Sequence, residues 1–160
     1  MIDINQLIIP AARKGEIPVL EELIQQKVNL ETRDDKGYTA LIIACYNNQY
    51  EAARLLLKNG ANPDAADMGG NTALMGAAFK GHLAIAELLL EHGASIDLQH
   101  GNGGSALMFA AMFGRNEVLK LLLKKGADKY LLDARGMTVI DLAMQQRNTE
   151  AVLLLQEDEA

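Results

Sequence analysis

The sequence contains few of the residues that build disulfides, metal centres or common catalytic sites. Its 160 residues include one cysteine, three histidines and no tryptophan. The single thiol, Cys45, forms no internal disulfide, and the histidines show none of the spacings that hold zinc. The G-x-S-x-G and P-loop motifs are also missing. We therefore predict a protein that is not an enzyme, with no catalytic, cofactor-binding or metal-binding residue.

Positive charge and long apolar runs are scarce as well. The chain has 15 Lys and Arg against 21 Asp and Glu, which gives a formal net charge of −6. Such a chain is repelled by phosphate backbones and by anionic lipid surfaces. No window approaches the 18 consecutive apolar residues of a membrane span, and residues 1–10 lack the basic start of a secretory signal. We expect a cytoplasmic protein that binds neither nucleic acid nor membrane; export is left open, because a trimmed chain would lack its signal.

What the sequence does contain is an internal repeat. The pattern Gly-x-Thr-Ala-Leu, or a close variant, recurs at a constant spacing. Its glycines are Gly37, Gly70, Gly103 and Gly136, so each interval is 33 residues. The same step separates the leucine triplets that begin at Leu55, Leu88 and Leu121, and the glycines Gly60, Gly93 and Gly126. A fixed period of this length is typical of proteins that stack similar units in a row.

The period also accounts for a motif that suggests another fold. Residues 101–106 fit G-x-G-x-x-A, the pattern of a dinucleotide-binding loop. Such a loop needs an acidic residue about 20 positions further on, and only Asp128 lies near that distance. Because Gly103 is the marker glycine of the repeat, we interpret the match as a coincidence of one glycine-rich turn.

Each repeat carries the start and stop signals of two helices. A hydroxyl residue that can cap the first turn precedes the first apolar run, at Thr39, Thr72, Ser105 and Thr138. The expected ends of this first helix are Asn48, Gly81 and Gly114, and the leucine-rich second helix ends at Gly60, Gly93 and Gly126. An Asp-x-x-Gly turn begins the next unit at Asp34, Asp67 and Asp133. One helix pair cannot bury its own leucine face, so the units are predicted to stack.

The residues from Asp67 to His82, DMGGNTALMGAAFKGH, closely follow the pattern D-x-x-G-x-T-P-L-H-x-A-A-x-x-G-H. In this respect the chain resembles the ankyrin repeat family. The resemblance implies an all-α solenoid in which each unit is a β-turn or hairpin followed by two antiparallel helices. It also implies a single domain of about five units, with polar capping units at the two ends. These units are residues 1–33, 34–66, 67–99, 100–132 and 133–160.

The chain departs from the family pattern at several positions. The histidine of the family's T-P-L-H tetrad is replaced by Ile42, Met75, Met108 and Asp141. We expect the hydrogen bonds that this histidine supplies between neighbouring repeats to be absent. His100 stands where other units have aspartate, so its hairpin is expected to be looser. Pro10 within the first helix predicts a late start or a bend.

Several reactive side chains have structural explanations within the repeat. His82 occupies the family's usual position after the glycine and is interpreted as structural. Cys45 occupies the slot of Ala78 and Ala111, which predicts a buried, inert thiol. The acidic end, Glu157 to Glu159, is interpreted as a solvated tail.

The resemblance implies a non-catalytic module that binds a protein partner in a concave groove. The groove is formed by the hairpin tips and by the exposed residues late in the first helices. The predicted partner-binding residues are Arg33, Asp35, Lys36, Tyr38, Tyr46, Asn47, Met68, Asn71, Phe79, Lys80, Gln99, Asn102, Met112, Phe113, Arg135 and Met137. We expect the chain to be a monomer.

Four of the seven aromatic residues fall in these slots, which favours a partner with an apolar centre. Tyr46, Phe79 and Met112 share one slot in three successive units and are predicted to form a ladder along the groove. The alternative is that Phe79 and Met112 complete the core. Two other roles are left open. One is an inhibitor, toxin-neutralising or regulatory accessory protein of a bacterial enzyme, and the other is a structural module that self-associates.

Overall fold

The computed structural model describes residues 2–157, which form ten α-helices arranged in five consecutive pairs. The helices are α1 (Ile8–Lys14), α2 (Ile17–Gln25), α3 (Ala40–Tyr46), α4 (Tyr50–Lys58), α5 (Ala73–Lys80), α6 (Leu83–Glu91), α7 (Ala106–Met112), α8 (Asn116–Lys124), α9 (Val139–Gln145) and α10 (Thr149–Glu157). Pairing of strands within this range is limited to isolated antiparallel bridges at the hairpins, such as that between Ala66 and Thr72. The predicted all-α stack is confirmed. Of the acidic end, Asp158 and Glu159 lie outside the described residues.

The first helix of a pair begins at its predicted capping residue. The hydroxyls of Thr39, Thr72, Ser105 and Thr138 each accept a hydrogen bond from the amide three residues on. The oxygen–nitrogen distances lie between 3.2 and 3.4 Å. These bonds satisfy amides that have no partner inside the helix. In α1 the order is different: a 3-10 turn at Ile4–Leu7 precedes the helix, which places Pro10 in its first turn and starts it one residue later than its equivalents.

The first helices end in the left-handed conformation, as predicted. Gly81 and Gly114 have φ of 78° and 70°, and Asn48 has φ of 57°. Asparagine is one of the few residues besides glycine that adopts this conformation readily. Arg147 does so with φ of 56° at the end of α9, where the sequence contains no glycine.

The core runs through the whole stack and is made by equivalent residues of each pair. One position of the second helix holds a leucine in all five pairs, and these leucines are at most 4% exposed: Leu23, Leu56, Leu89, Leu122 and Leu155. The first helices are shorter and pack closely on the first helices of adjacent pairs, whereas the second helices touch one another less. Two cavities lined by residues of the first helices and of the hairpins mark a groove along this side of the stack.

The hairpins between pairs are held by side-chain turns. The Oδ1 atom of Asp34 accepts hydrogen bonds from the amides of Lys36 and Tyr38, each at 2.9 Å. Asp133 has the same two bonds, and the amide of Met137 is the largest cause that lowers its pKa below the usual value. A carboxylate held in this way stays charged and keeps the turn closed.

His100 replaces the aspartate of one hairpin, where a looser turn was expected. Its Nδ1 atom accepts a hydrogen bond from the amide of Asn102 at 2.9 Å. The backbone pairing is retained, because the amide of Gly103 donates to the His100 carbonyl and the amide of His100 donates to the Gly104 carbonyl. The ring thus replaces one of the two side-chain bonds that an aspartate makes.

Another set of hydrogen bonds links neighbouring helix pairs. In every pair after the first, the residue just before the second helix contacts the C-terminal part of the first helix of the previous pair. Gln49 Nε2 donates to the carbonyl of Arg13 at 3.1 Å, and Arg115 Nε donates to the carbonyl of Phe79 at 3.0 Å. His82 and Asn148 make the equivalent contacts with Tyr46 and Ala111. These bonds satisfy carbonyls that the helix itself leaves unpaired.

The residues in the slot of the family's tetrad histidine behave differently. No hydrogen bond from the side chains of Ile42, Met75, Met108 or Asp141 to a neighbouring helix pair occurs within residues 2–157. Asp141 instead closes a capping box within its own helix, because its carboxylate accepts from the amide and the hydroxyl of Thr138.

The link through His82 can be tested by a conservative change. We expect His82→Ala to lower the free energy of unfolding by about 0.5–1.5 kcal/mol, since it removes one hydrogen bond and unpairs the Tyr46 carbonyl. His82→Gln is expected to retain most of the stability, because Gln49 already makes this contact one unit earlier. Urea denaturation of the two variants checks this; an equal loss in both would contradict the role of the bond.

Candidate functional site

The predicted groove residues lie on one face, formed by the hairpins and by the C-terminal ends of the first helices. Most of them are exposed: Arg33, Asp35, Lys36, Tyr46, Asn47, Met68, Lys80, Gln99, Asn102, Phe113 and Arg135. The rest are partly buried: Tyr38, Asn71, Phe79, Met112 and Met137. Met68, at a hairpin tip, is the most exposed large apolar side chain of this set, at 82%.

Aromatic rings form a row along this groove. The Tyr46 and Phe79 rings are nearly parallel, with centroids 6.4 Å apart, and Phe79 contacts Phe113 edge to face at 4.5 Å. The ring centroid of Phe113 in turn lies 6.4 Å from that of Phe109. We call Tyr46, Phe79, Phe109 and Phe113 the aromatic row. Tyr46 and Phe113 are 45% and 43% exposed, so both ends of the Tyr46–Phe79–Phe113 segment are open to solvent.

The row differs from the predicted ladder at its third member. Met112 was expected to follow Phe79, but its side chain packs against the hydrophobic core. The neighbouring residue, Phe113, supplies the ring contact with Phe79. Phe113 is the residue that follows the last turn of α7, and the left-handed Gly114 comes directly after it. Met112 is partly buried, and its side chain both packs against the core and borders a cavity of the groove.

Two of the predicted groove residues also hold hairpins together. Arg33 Nη1 donates to the carbonyls of Gly37 and Ala66, and Gln99 Nε2 donates to those of Gly103 and Leu132 at 2.8 and 2.9 Å. Each side chain thus joins its own hairpin to the next one. The polar ends of both side chains are engaged in these hydrogen bonds, although both residues are exposed.

A cavity of about 510 Å³ opens in the groove between α3 and α5. Its lining residues are Arg13, Lys36, Tyr38, Ile42, Ile43, Tyr46, Asn47, Asp67, Asn71, Thr72, Ala73, Met75, Gly76, Phe79 and Phe109. Six of them belong to the predicted set, and the other nine, which include Arg13, Gly76 and Phe109, do not. This volume lies within the range of about 300–1,000 Å³ that is usual for binding pockets.

Gly76 is the unusual residue of this lining. It lies inside α5, where glycine lowers helix stability by about 1 kcal/mol relative to alanine. The equivalent residues of the other full units and the last unit are Ile43, Phe109 and Leu142, all of them large. A side chain of that size is missing at Gly76, and the cavity occupies the space. The signal in the sequence was the single glycine in a slot that is otherwise bulky.

A second cavity, of about 340 Å³, lies further along the groove. Phe109 lines both cavities and therefore separates them. Its ring also packs on the ring of His100, with centroids 5.1 Å apart. The second cavity is bordered by Met108, Met112 and Arg135.

Two positive side chains line the first cavity although the chain as a whole is acidic. Arg13 and Lys36 line it, and Lys80 Nζ lies 5.1 Å from the centroid of the Tyr46 ring. The one acidic residue of the lining, Asp67, uses its carboxylate within its own turn. That carboxylate accepts the amides of Gly69 and Asn71 and the side-chain amide of Asn71.

Cys45 lies in α3 beneath this surface and is fully buried. Burial raises the pKa of its thiol far above the ordinary value, because the thiolate would lose its hydration. We expect iodoacetamide to leave the native protein unmodified at neutral pH and to label it fully in denaturant, as read by mass spectrometry. Cys45→Ala is expected to change stability by less than about 1 kcal/mol, since the equivalent residues are Ala78 and Ala111. Rapid labelling of the native thiol would contradict this assignment.

Residues 2–157 contain neither a candidate metal centre nor a candidate membrane span. No group of three or more His, Cys, Asp or Glu side chains in residues 2–157 is arranged to hold a metal ion. Over the same residues, no helix has the length and apolar character needed to span a membrane.

The stack of helix pairs, with a groove along its first helices, defines an α-helical repeat protein. Residues 8–100 and 92–160 match the family model of ankyrin repeats (3 copies). Together these matches span nearly the whole chain, and the chain therefore belongs to the ankyrin repeat family. The sequence-based assignment is confirmed. Ankyrin repeats generally mediate contacts between proteins and are typically not catalytic.

Individual relatives are similar over about a third of the chain. Ankyrin repeat domain-containing protein 29 of Danio rerio is 40% identical over 52 residues, which are 32% of this chain and 17% of that protein. Potassium channel AKT2/3 of Arabidopsis thaliana is 35% identical over 57 residues, 36% of this chain and 7% of the channel. Palmitoyltransferase akr1 of Aspergillus oryzae is 36% identical over 61 residues, 38% of this chain and 8% of that protein. The chain thus covers less than a fifth of each of these relatives.

Proposed function

We propose that this chain is a non-catalytic protein-interaction module, a monomer whose groove binds a protein partner with an apolar centre. The observation that carries the proposal is the aromatic row, in which Tyr46 and Phe113 keep almost half of their surface exposed. Aromatic side chains are enriched at the centres of protein interfaces. The membership in the ankyrin repeat family supports the same function.

The hairpins add polar contacts around this apolar centre. Asp35, Lys36, Asn102 and Arg135 are exposed on the same face. An apolar centre with a polar rim is the usual composition of a protein interface. The second helices present the opposite surface, where exposed charged residues such as Glu87 and Lys58 alternate with buried leucines.

Site-specific photo-crosslinking tests the groove as the binding surface. A photoreactive amino acid is placed at Asn47 in the groove or at Glu87 on α6, both of them exposed. In a lysate of the cells that naturally express the chain, we expect a covalent adduct with another protein from position 47 and none from position 87. Equal adducts from both positions, or none from either, would contradict the proposal. An adduct with a second copy of the chain, accompanied by a dimer in sedimentation, would indicate a self-associating module instead.

A further inference from the structure

The cavity around Gly76 is open because of that glycine, and the fold does not require glycine there. Gly76 lies within α5 and is not among the residues with positive φ. A Cβ atom at this position would lie 3.6 Å from a ring carbon of Tyr46, which is an ordinary contact. By contrast, Gly103 in the hairpin has φ of 84°, and a Cβ atom there would lie 2.7 Å from the backbone nitrogen of Ala134. The backbone conformation at position 76 would tolerate a residue with a side chain. The consequence of having glycine there is therefore the open cavity.

The walls of this space are suited to an apolar group. Ile43, Met75 and Phe79 contribute aliphatic and aromatic surface, and Phe109 closes the side toward the next helix pair. A large apolar side chain that enters such a cavity loses its contact with water and gains close packing. Gly76 and Phe109 occupy the same position in successive units. A partner's side chain in the cavity would therefore take the place that the Phe109 ring has one unit later.

The charged residues at the cavity indicate which residues should flank the apolar side chain in the partner. Arg13 and Lys36 line the cavity and are exposed, and no ion pair of either side chain is found within residues 2–157. Asp67 is held by the amides of its own turn. Asp35 is adjacent to Lys36 at the hairpin tip but does not line the cavity. The lining therefore carries two positive side chains against one carboxylate, Asp67, in a chain of net charge −6, and this local excess of positive charge complements carboxylates on a partner.

We propose that the cavity around Gly76 receives one bulky apolar side chain from an acidic protein segment. Carboxylates that flank this side chain pair with Arg13 and Lys36 while the apolar group packs between Tyr46, Phe79 and Phe109. This inference rests on the proposed function and narrows it to one partner chemistry. The same-sign charge of the chain disfavours a second copy as the occupant, since its surface carries an excess of Asp and Glu.

The test uses two substitutions at one position. Gly76→Leu fills the cavity with the residue that the chain has at Leu142, whereas Gly76→Ala adds a single methyl group. A phage-displayed library of random twelve-residue peptides is panned on the natural chain, and enriched peptides are synthesised with a fluorescent label. We expect the enriched peptides to combine a Phe, Leu, Ile or Met with Asp or Glu nearby. Their Kd is expected to rise about tenfold or more for Gly76→Leu relative to Gly76→Ala, as for loss of an anchoring residue.

Charge variants provide a second measurement that leaves the helices intact. Arg13→Glu with Lys36→Glu reverses two exposed charges at the cavity, and Lys58→Glu with Lys124→Glu makes the same change of net charge outside the groove. We expect the groove pair to weaken binding of the peptides at least about tenfold at low salt and the outer pair to weaken it much less, because nearby charges dominate over distant ones. These variants decide the question if Gly76→Leu lowers the helical signal in circular dichroism.

Three results would overturn this inference. The first is a library that yields no peptide able to discriminate Gly76→Ala from Gly76→Leu, or one whose enriched peptides lack acidic residues. The second is equal weakening by the groove and outer charge pairs. The third is a dimer in sedimentation that Gly76→Leu dissociates, which would make a second copy the occupant. A partner that crosslinks from position 47 but binds both Gly76 variants equally would overturn this inference and leave the proposed function standing.

Discussion

Gly103→Ala is expected to lower the free energy of unfolding by about 2–5 kcal/mol. Two effects combine at this position. Gly103 has φ of 84°, a conformation that is unfavourable by about 1–2 kcal/mol for a residue with a Cβ atom. The new Cβ would also lie 2.7 Å from the amide nitrogen of Ala134 and 2.8 Å from Cα of Asp133, and such overpacking is unfavourable by about 1–3 kcal/mol. Both neighbours are backbone atoms of the next hairpin and have little room to move.

Gly136→Ala is the matched control for this substitution. Gly136 is the equivalent glycine of the following hairpin and has nearly the same φ, 79°, but among residues 2–157 no atom beyond its chain neighbours would lie within 4 Å of a Cβ atom at this position. We expect this variant to show the conformational part alone, about 1–2 kcal/mol. Urea denaturation followed by circular dichroism gives both values. Equal losses in the two variants would show that the close approach of successive hairpins contributes nothing to stability.

Leu89→Ala is expected to lower stability by about 2–5 kcal/mol, because it leaves a cavity in a fully packed part of the core. Leu89 lies in α6, in the middle of the stack, and is 0% exposed. Its helix packs on α4 and α8 as well as on α5. The loss is therefore expected to accelerate amide hydrogen exchange in the helix pairs on both sides.

Leu155→Ala makes the same change at the equivalent position of the last pair. Leu155 is 1% exposed, so the local loss of packing is similar, but its helix, α10, has a neighbouring pair on one side among the described residues. We expect faster exchange in α9 and α10 and nearly unchanged exchange in α3 to α6. Exchange measured by mass spectrometry distinguishes the two outcomes; identical patterns for Leu89→Ala and Leu155→Ala would contradict transmission through adjacent pairs.

The helix boundaries were predictable because their signals are local. Thr39 and Gly81 act on the few residues next to them, and their roles follow from a hydroxyl that can accept a hydrogen bond and a backbone that can adopt positive φ. The fixed period then predicted that the units stack, since each unit has apolar residues at the same positions. The bonds made by His82 and Arg115 could have been found in the same way, because one slot holds a polar side chain that can donate a hydrogen bond in every later unit.

The finer features of the groove were harder to predict because they depend on the neighbouring units. The predicted ladder did not include Phe113, although Phe113 contacts Phe79, because a contact between two units depends on how α5 and α7 pack and not on the slot alone. The cavity at Gly76 results from the combination of a missing side chain with the walls supplied by Ile43 and Phe109. The sequence shows each of these residues but does not show the volume between them.

The helices pack mainly within their own pair and with the adjacent pairs. The sequence separation between contacting residues therefore stays near one repeat length however many pairs are added. Because slow folding comes from contacts between distant parts of a chain, a stack of this kind is expected to fold quickly from any pair that forms first, with order spreading along it in both directions.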